Sequence, residues 1–133
     1  MREFARLQTA TLLLRLAAQV KQTAESSDAE AVHDLRVAVR RLSRALRSFA
    51  QFFPGKSWKR IRKRLSGLMN LTAAVRDNDV ALELLEKAGI SKRARVALAV
   101  EKRRREAAAN LRRELHAWLT RNFAHEWRGE LEL

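Results

Sequence analysis

The residues best suited to chemistry sit in one stretch, Val32 to Phe53, VHDLRVAVRRLSRALRSFAQFF. At 100° per residue, His33, Arg36, Arg40, Arg44 and Arg47 gather in an arc of roughly 80° on one side of a helix. From His33 to Arg47 the helix rises about 1.5 Å per residue, near ~21 Å in all. Arginine in such a row suits phosphate, because its planar fork gives paired hydrogen bonds to phosphate oxygens and never loses its charge. From Leu35 to Arg76 the sequence holds twelve Lys and Arg and no Asp or Glu. A face that is merely solvated usually mixes its signs for support between neighbouring turns. These cations therefore need anions from outside the chain.

Two further groups bear on the same chemistry. Lys56, Lys59, Arg60, Arg62, Lys63 and Arg64 crowd the start of the next helix, where cations oppose the helix dipole and cost stability. Of these, Lys59, Arg60, Lys63 and Arg64 are the expected contributors to an anion site. The run Arg76, Asp77, Asn78, Asp79 is the second group. By helical phase Asp79 falls on an apolar stripe, where a lone carboxylate is costly unless paired. Its natural partner is an arginine or the histidine of a neighbouring helix. That leaves a structural ion pair and an orienting role open; we expect an orienting role, with Arg76 on phosphate. His33 has no second histidine at metal spacing, and His116 and His125 lie on different faces, so no metal site is expected and the imidazole is assigned a hydrogen bond to an anion. Glu101, Glu106 and Glu114 dilute the run Lys102 to Arg105, which reads as a solvated face.

The elements that must position these residues are helical. The apolar fraction is 47%, the charged fraction 32%, and there are only four Gly, one Pro and no Tyr, which suits an all-α protein better than a turn-rich sheet. Helix one is expected from about Glu3 to Thr23. Phe4, Leu7, Thr11, Leu14 and Ala18 form one stripe, while Leu12, Leu13, Leu16 and Val20 point elsewhere, so this helix is apolar around most of its circumference. Such a helix is normally covered on more than one side, which points to a partner subunit. Ser27 with Glu30 reads as a capping box opening helix two. Leu35, Val39, Leu42, Leu46, Phe49 and Phe53 form the apolar face of that helix, which stops before Pro54 and Gly55. Ser57 is the expected cap of helix three, whose stripe is Trp58, Ile61, Leu65, Leu68, Thr72 and Val75 and which ends near Ala88 with Gly89 as its C-terminal cap. Ser91 opens a last helix that reaches Trp127 with room for a kink, followed by a frayed tail from Gly129. Four amphipathic helices with short loops predict an antiparallel four-helix bundle in a single domain over residues 1–133.

The totals set the class of partner. The 28 Lys and Arg against 15 Asp and Glu give a net charge of +13, which favours a polyanion. Cysteine is absent, so disulfides and thiolate metal sites are excluded. The most apolar run, Thr9 to Val20, is too short to span a membrane and is broken by Arg15. No signal peptide is expected, so the cytoplasm is the default location.

The segment VHDLRVAVRRLSRALRSF, followed after a loop and a basic helix by LTAAVRDNDVALELL, resembles the CHAD family, an α-helical domain named for its histidine. The motifs match from about Ala29 to Leu85, and helices one and four fit the general layout. The resemblance implies a helical bundle with a basic surface that binds inorganic polyphosphate. It marks His33, Arg36, Arg40, Arg41 and Arg44 of the first motif, basic residues at the start of helix three, and Arg76, Asp77 and Asp79 of the second. Family members usually contain two four-helix halves related by an approximate two-fold axis, often beside a triphosphate-tunnel catalytic domain. This chain resembles one half of that two-bundle fold, and pairing of two copies into a homodimer is the expected way to restore the symmetry.

Three functions follow in order. The first is non-enzymatic binding of polyphosphate, with no cofactor. The second is nucleic-acid binding, which the charge supports equally but which lacks stacking platforms, since the Phe and Trp residues are mostly taken by apolar stripes. The third is a metal-dependent phosphoryl-transfer accessory domain. Such chemistry needs carboxylates on metal ions, and only Asp77 and Asp79 lie near the motif, with no Gly-rich phosphate loop.

Overall fold

A computed structural model describes residues 1–133 and is all-helical. In chain order the elements are α1 (Arg2–Glu25), α2 (Ala29–Ser48), a 3-10 turn (Ala50–Phe52), α3 (Gly55–Lys87), α4 (Arg95–Thr120) and α5 (Phe123–Glu130). Each long helix packs on its neighbour in sequence, and α4 closes the ring against α1. The pairing is antiparallel: between α1 and α2, Phe4 meets Phe49 at one end while Thr23 bonds to the Ala31 carbonyl at the other. Between α3 and α4, Arg64 lies over Trp118 and Asp79 meets Arg104.

The core is a cluster of 23 buried residues that includes Leu13, Leu16, Leu35, Leu42, Ile61, Leu65, Leu111 and Leu115. The expected faces of α2 and α3 turn inward almost entirely, with Phe49 and Trp58 only half-buried. Helix α1 splits its apolar residues between two opposite faces. Thr9, Leu12, Leu13, Leu16 and Val20 are buried, whereas Phe4, Leu7, Thr11, Leu14 and Ala18 are exposed.

The helix ends differ from the sequence expectation by identifiable local chemistry. Asp28, not Ser27, caps α2, because its carboxylate accepts the Ala31 N–H at 2.8 Å; Ser27 is buried and offers its carbonyl elsewhere. Helix α2 stops at Ser48 and tightens into the 3-10 turn before Phe53. Helix α3 begins at Gly55, since the extended Pro54 supplies its carbonyl to the N–H groups of Ser57 and Trp58 and no serine cap is used. Its end is as expected: Gly89 takes φ +75° and, with Ile90, bonds back to Glu86 and Leu85, the Schellman arrangement that glycine favours. Ser91 closes a short turn with Arg93, and α4 starts only at Arg95.

The last helix breaks rather than kinks. Asn122 adopts a left-handed φ of 51°, a conformation that asparagine tolerates better than most residues. The break folds α5 back so that Phe123 and Trp127 pack on Trp118 with ring centroids 5.0 and 5.1 Å away. The tail is not frayed, because Leu131 is buried and Leu133 bonds back to the Arg128 carbonyl.

One core position is imperfect. The Thr9 hydroxyl is fully buried and lacks a hydrogen-bond partner. A buried unsatisfied hydroxyl costs about 1–3 kcal/mol, and valine has nearly the same shape. Thr9→Val is therefore expected to raise the midpoint of urea unfolding by the equivalent of about 1 kcal/mol, with the m-value unchanged.

Candidate functional site

The cations of α2 divide between two grooves. Arg36 lies at the contact with α3, where its Nη1 donates to the Thr72 hydroxyl at 2.9 Å and to the Met69 carbonyl at 3.3 Å. Leu35 and Val39 turn into the core on either side of it, which fixes that direction. No carboxylate pairs with it. Burial, with Arg76 and Arg40 nearby, holds the Arg36 guanidinium below the ordinary arginine value, and Asp77 acts weakly in the opposite sense. A half-buried cation whose neighbours are other cations stabilises an anion that reaches it.

Around Arg36 the groove between α2 and α3 extends in both directions. Toward the start of α2, His33 and Arg76 line one cavity of about 200 Å³ with Val32, Val80 and Asp79. Toward its end, Arg62 donates to the Ser43 hydroxyl at 3.4 Å. By helical phase Arg40 and Arg47 share the outer rim with these residues, and both are exposed. Two side chains from the sequence site turn to the opposite flank of α2: Arg41 and Arg44 line a cavity with Arg15, Phe4 and Phe49 on the α1 side.

The basic start of α3 also divides. Arg60 pairs with Glu130 of α5 at 2.9 Å, and Arg64 lies 5.5 Å from the Trp118 ring centre on the α4 side. Both are thus away from α2. Lys59 and Lys63 are exposed, with the Lys59 ammonium 5.8 Å from the Trp58 ring centre. Arg62 was not among the expected site residues, although its phase, about two turns before Met69 on the same flank, points it to α2.

Asp79 has the arginine partner its position demanded, and the partner is on α4. Arg104 Nε meets Asp79 Oδ1 at 2.9 Å, and Arg104 Nη2 donates to the Ser27 carbonyl at 2.7 Å. Both side chains are largely covered, at 22% and 25% exposure. One guanidinium thereby ties α3 and α4 to the loop that opens α2. The run Lys102 to Arg105 is therefore not uniformly a solvated face: a row of like charges in sequence did not distinguish its one inward member, which lies on the phase of Val100, Ala108 and Leu111. Asp77 is exposed beside Arg36 and Arg76.

Four ion pairs, made by Arg60, Arg104, Arg105 and Arg121, are all that the 28 Lys and Arg form. None involves α2. The profile of the CHAD domain family matches residues 8–131, nearly the whole chain. The chain belongs to the CHAD domain family. This CHAD chain has no match among curated proteins or among solved structures. CHAD domains are associated in general with polyphosphate binding, and the unpaired arginines of α2 lie in the stretch the family profile covers. No helix is long and apolar enough to cross a membrane.

The Asp79 contacts separate two roles. If the carboxylate only clamps helices, Asp79→Asn lowers stability by about 1–2 kcal/mol, as expected for a hydrogen bond to a charged group, and leaves polyanion affinity within twofold at a temperature where both proteins are folded. A tenfold loss of affinity in a fully folded variant would assign it the orienting role instead.

Proposed function

We propose that this chain binds inorganic polyphosphate without turning it over, in the groove between α2 and α3. The observation that carries this is the absence of any acidic partner for His33, Arg36, Arg40, Arg47, Arg62 and Arg76 within ion-pair distance. The groove follows α2 for about 21 Å, so an extended anion with one charge per unit meets a cation at nearly every turn. Binding displaces counterions, which makes affinity fall with salt. Arg36 anchors the middle because its guanidinium is held in place by Thr72 and Met69 before any ligand arrives, and a preorganised donor loses little freedom on binding.

Of the aromatic residues only Phe4 is largely exposed, and it stands on the α1 side of α2, away from the groove, which supports polyphosphate over nucleic acid there. Phe53, Trp118, Phe123 and Trp127 are buried, and Trp58 is half-buried with Lys59 and Arg62 over its ring. Stacking of bases needs open aromatic faces. The same proposal includes no catalysis: no group of three or more His, Asp or Glu is placed to hold a metal ion, and phosphoryl transfer commonly relies on one. It also includes pairing of two copies, which the exposed apolar face of α1 supports.

Arg36→Ala, Arg40→Ala and Arg76→Ala together are expected to weaken polyphosphate binding at least a hundredfold in a titration at moderate salt. The slope of log affinity against log salt should fall by about 0.7 per lost phosphate contact. Unchanged affinity and slope would reject the groove. Incubation of the wild type with polyphosphate and magnesium should release no phosphate above a protein-free blank; sustained release would establish an enzyme.

A further inference from the structure

The outer stripe of α1 has the features of a coiled-coil seam. Phe4, Leu7 and Leu14 are 56%, 61% and 62% exposed, and Thr11 and Ala18 are exposed with them. Their spacing alternates three and four residues, the a/d repeat that one helix presents to another. The opposite face of the same helix is already committed to the core through Leu12, Leu13, Leu16 and Val20. The Thr11 hydroxyl donates to the Leu7 carbonyl at 3.0 Å, so its hydrogen-bonding need is met locally.

The stripe is complementary to itself when reversed. About Thr11, Phe4 and Ala18 stand seven residues to either side, and Leu7 and Leu14 four and three. A two-fold axis at Thr11 thus sets the large ring of Phe4 over the small Ala18 of the second helix, and leucine against leucine. The flanks agree: Glu3 comes within a turn of Lys21 of the partner subunit, and Arg15 comes beside Gln8 of the partner subunit. A self-complementary patch with opposed charges at its ends fits an isologous contact. A partner of another kind would not require this mirror order.

The seam is small for a net charge of +13 per copy. A helix pair about 21 Å long and roughly 10 Å across covers far less than the about 800 Å² per partner of a standard interface. Arg15, Arg41 and Arg44 line the cavity beside the seam, next to Phe4. Pairing brings these cations of both copies together, and an anion lying along them lowers the repulsion.

We propose that two copies of this chain pair antiparallel along α1, about a two-fold axis at Thr11, and that polyphosphate reaching Arg15, Arg41 and Arg44, on the other flank of α2 from the groove, drives the pairing. The second half rests on the polyphosphate reading; the first does not. The sequence lacks cysteine, so single cysteines report the geometry cleanly. Thr11→Cys is expected to oxidise to a disulfide-linked dimer, several times faster with polyphosphate present. Gln22→Cys, whose two copies would stand about 33 Å apart in an antiparallel pair, should stay monomeric. Equal cross-linking of both variants, or of neither, overturns the seam.

Sedimentation tests the linkage. The wild type at tens of micromolar should double in mass with a short polyphosphate, and also in molar salt without it, where repulsion is screened. Leu7→Asp with Leu14→Asp should remain monomeric in both while keeping its helical circular dichroism and its one-to-one binding of polyphosphate. Salt-induced pairing without any polyphosphate binding would sink the polyphosphate reading and spare the seam. A wild type that stays monomeric in both conditions, or a double variant that pairs equally well, sinks the proposal.

Discussion

A guanidinium held between two helices with no carboxylate partner is the constraint that organises this protein. Arg36 is fixed by two neutral oxygens, the Thr72 hydroxyl and the Met69 carbonyl, which both accept from its Nη1 without cancelling its charge and leave the Nε and Nη2 donors for a ligand. Arg40 and Arg76 add their fields to it. In the absence of an anion this arrangement opposes folding, because like charges are brought closer than in the unfolded chain. The core must therefore supply stability that the surface does not. It does so with tightly interleaved leucines along α1 to α4 and with the cluster of Trp118, Phe123 and Trp127 at one end.

The fold separates the two tasks. Helix α2 turns Leu35, Val39, Leu42 and Leu46 inward and its arginines outward, so stability and ligand attraction come from opposite sides of one element. The contact of Arg104 with Asp79 and the Ser27 carbonyl joins α4, α3 and the loop before α2 at the end where His33 and Arg76 share a cavity. Arginine serves here as a structural fork, whereas the same residue type on α2 remains without an acidic partner. The difference lies in the acids: Asp79 follows the acid-free stretch, and no carboxylate forms an ion pair with Arg40 or Arg47.

Most of the architecture was legible because it depends on periodicity. The apolar stripes of α2 and α3, the helical class and the glycine stop after α3 follow from spacing and from one residue with positive φ. What failed was local and competitive. Ser27 and Asp28 are both good caps; Asp28 takes the Ala31 N–H, and the Ser27 carbonyl accepts from Arg104, a contact 77 positions away that sequence spacing does not reveal. The break at Asn122 gave no signal stronger than many asparagines inside helices, and only the fit of Phe123 and Trp127 against Trp118 settles it. In the candidate site, helical phase placed the row from His33 to Arg47 but not its division, since Arg41 and Arg44 are steered by α1, whose orientation the sequence left open between two apolar faces. Arg60 and Arg64 turned away for the same reason: Glu130 and Trp118 attract them from elements remote in sequence.

The central claim is that a fixed row of unpaired cations selects a flexible, unstacked chain of phosphates over other polyanions. The most direct measurement is a calorimetric titration with polyphosphates of graded length beside single-stranded and duplex DNA of equal charge, at one salt concentration. Affinity should rise with polyphosphate length until the groove along α2 is filled, and every DNA should bind at least tenfold more weakly than polyphosphate of matched charge. Equal or tighter binding of DNA, or no dependence on polyphosphate length, would contradict the account.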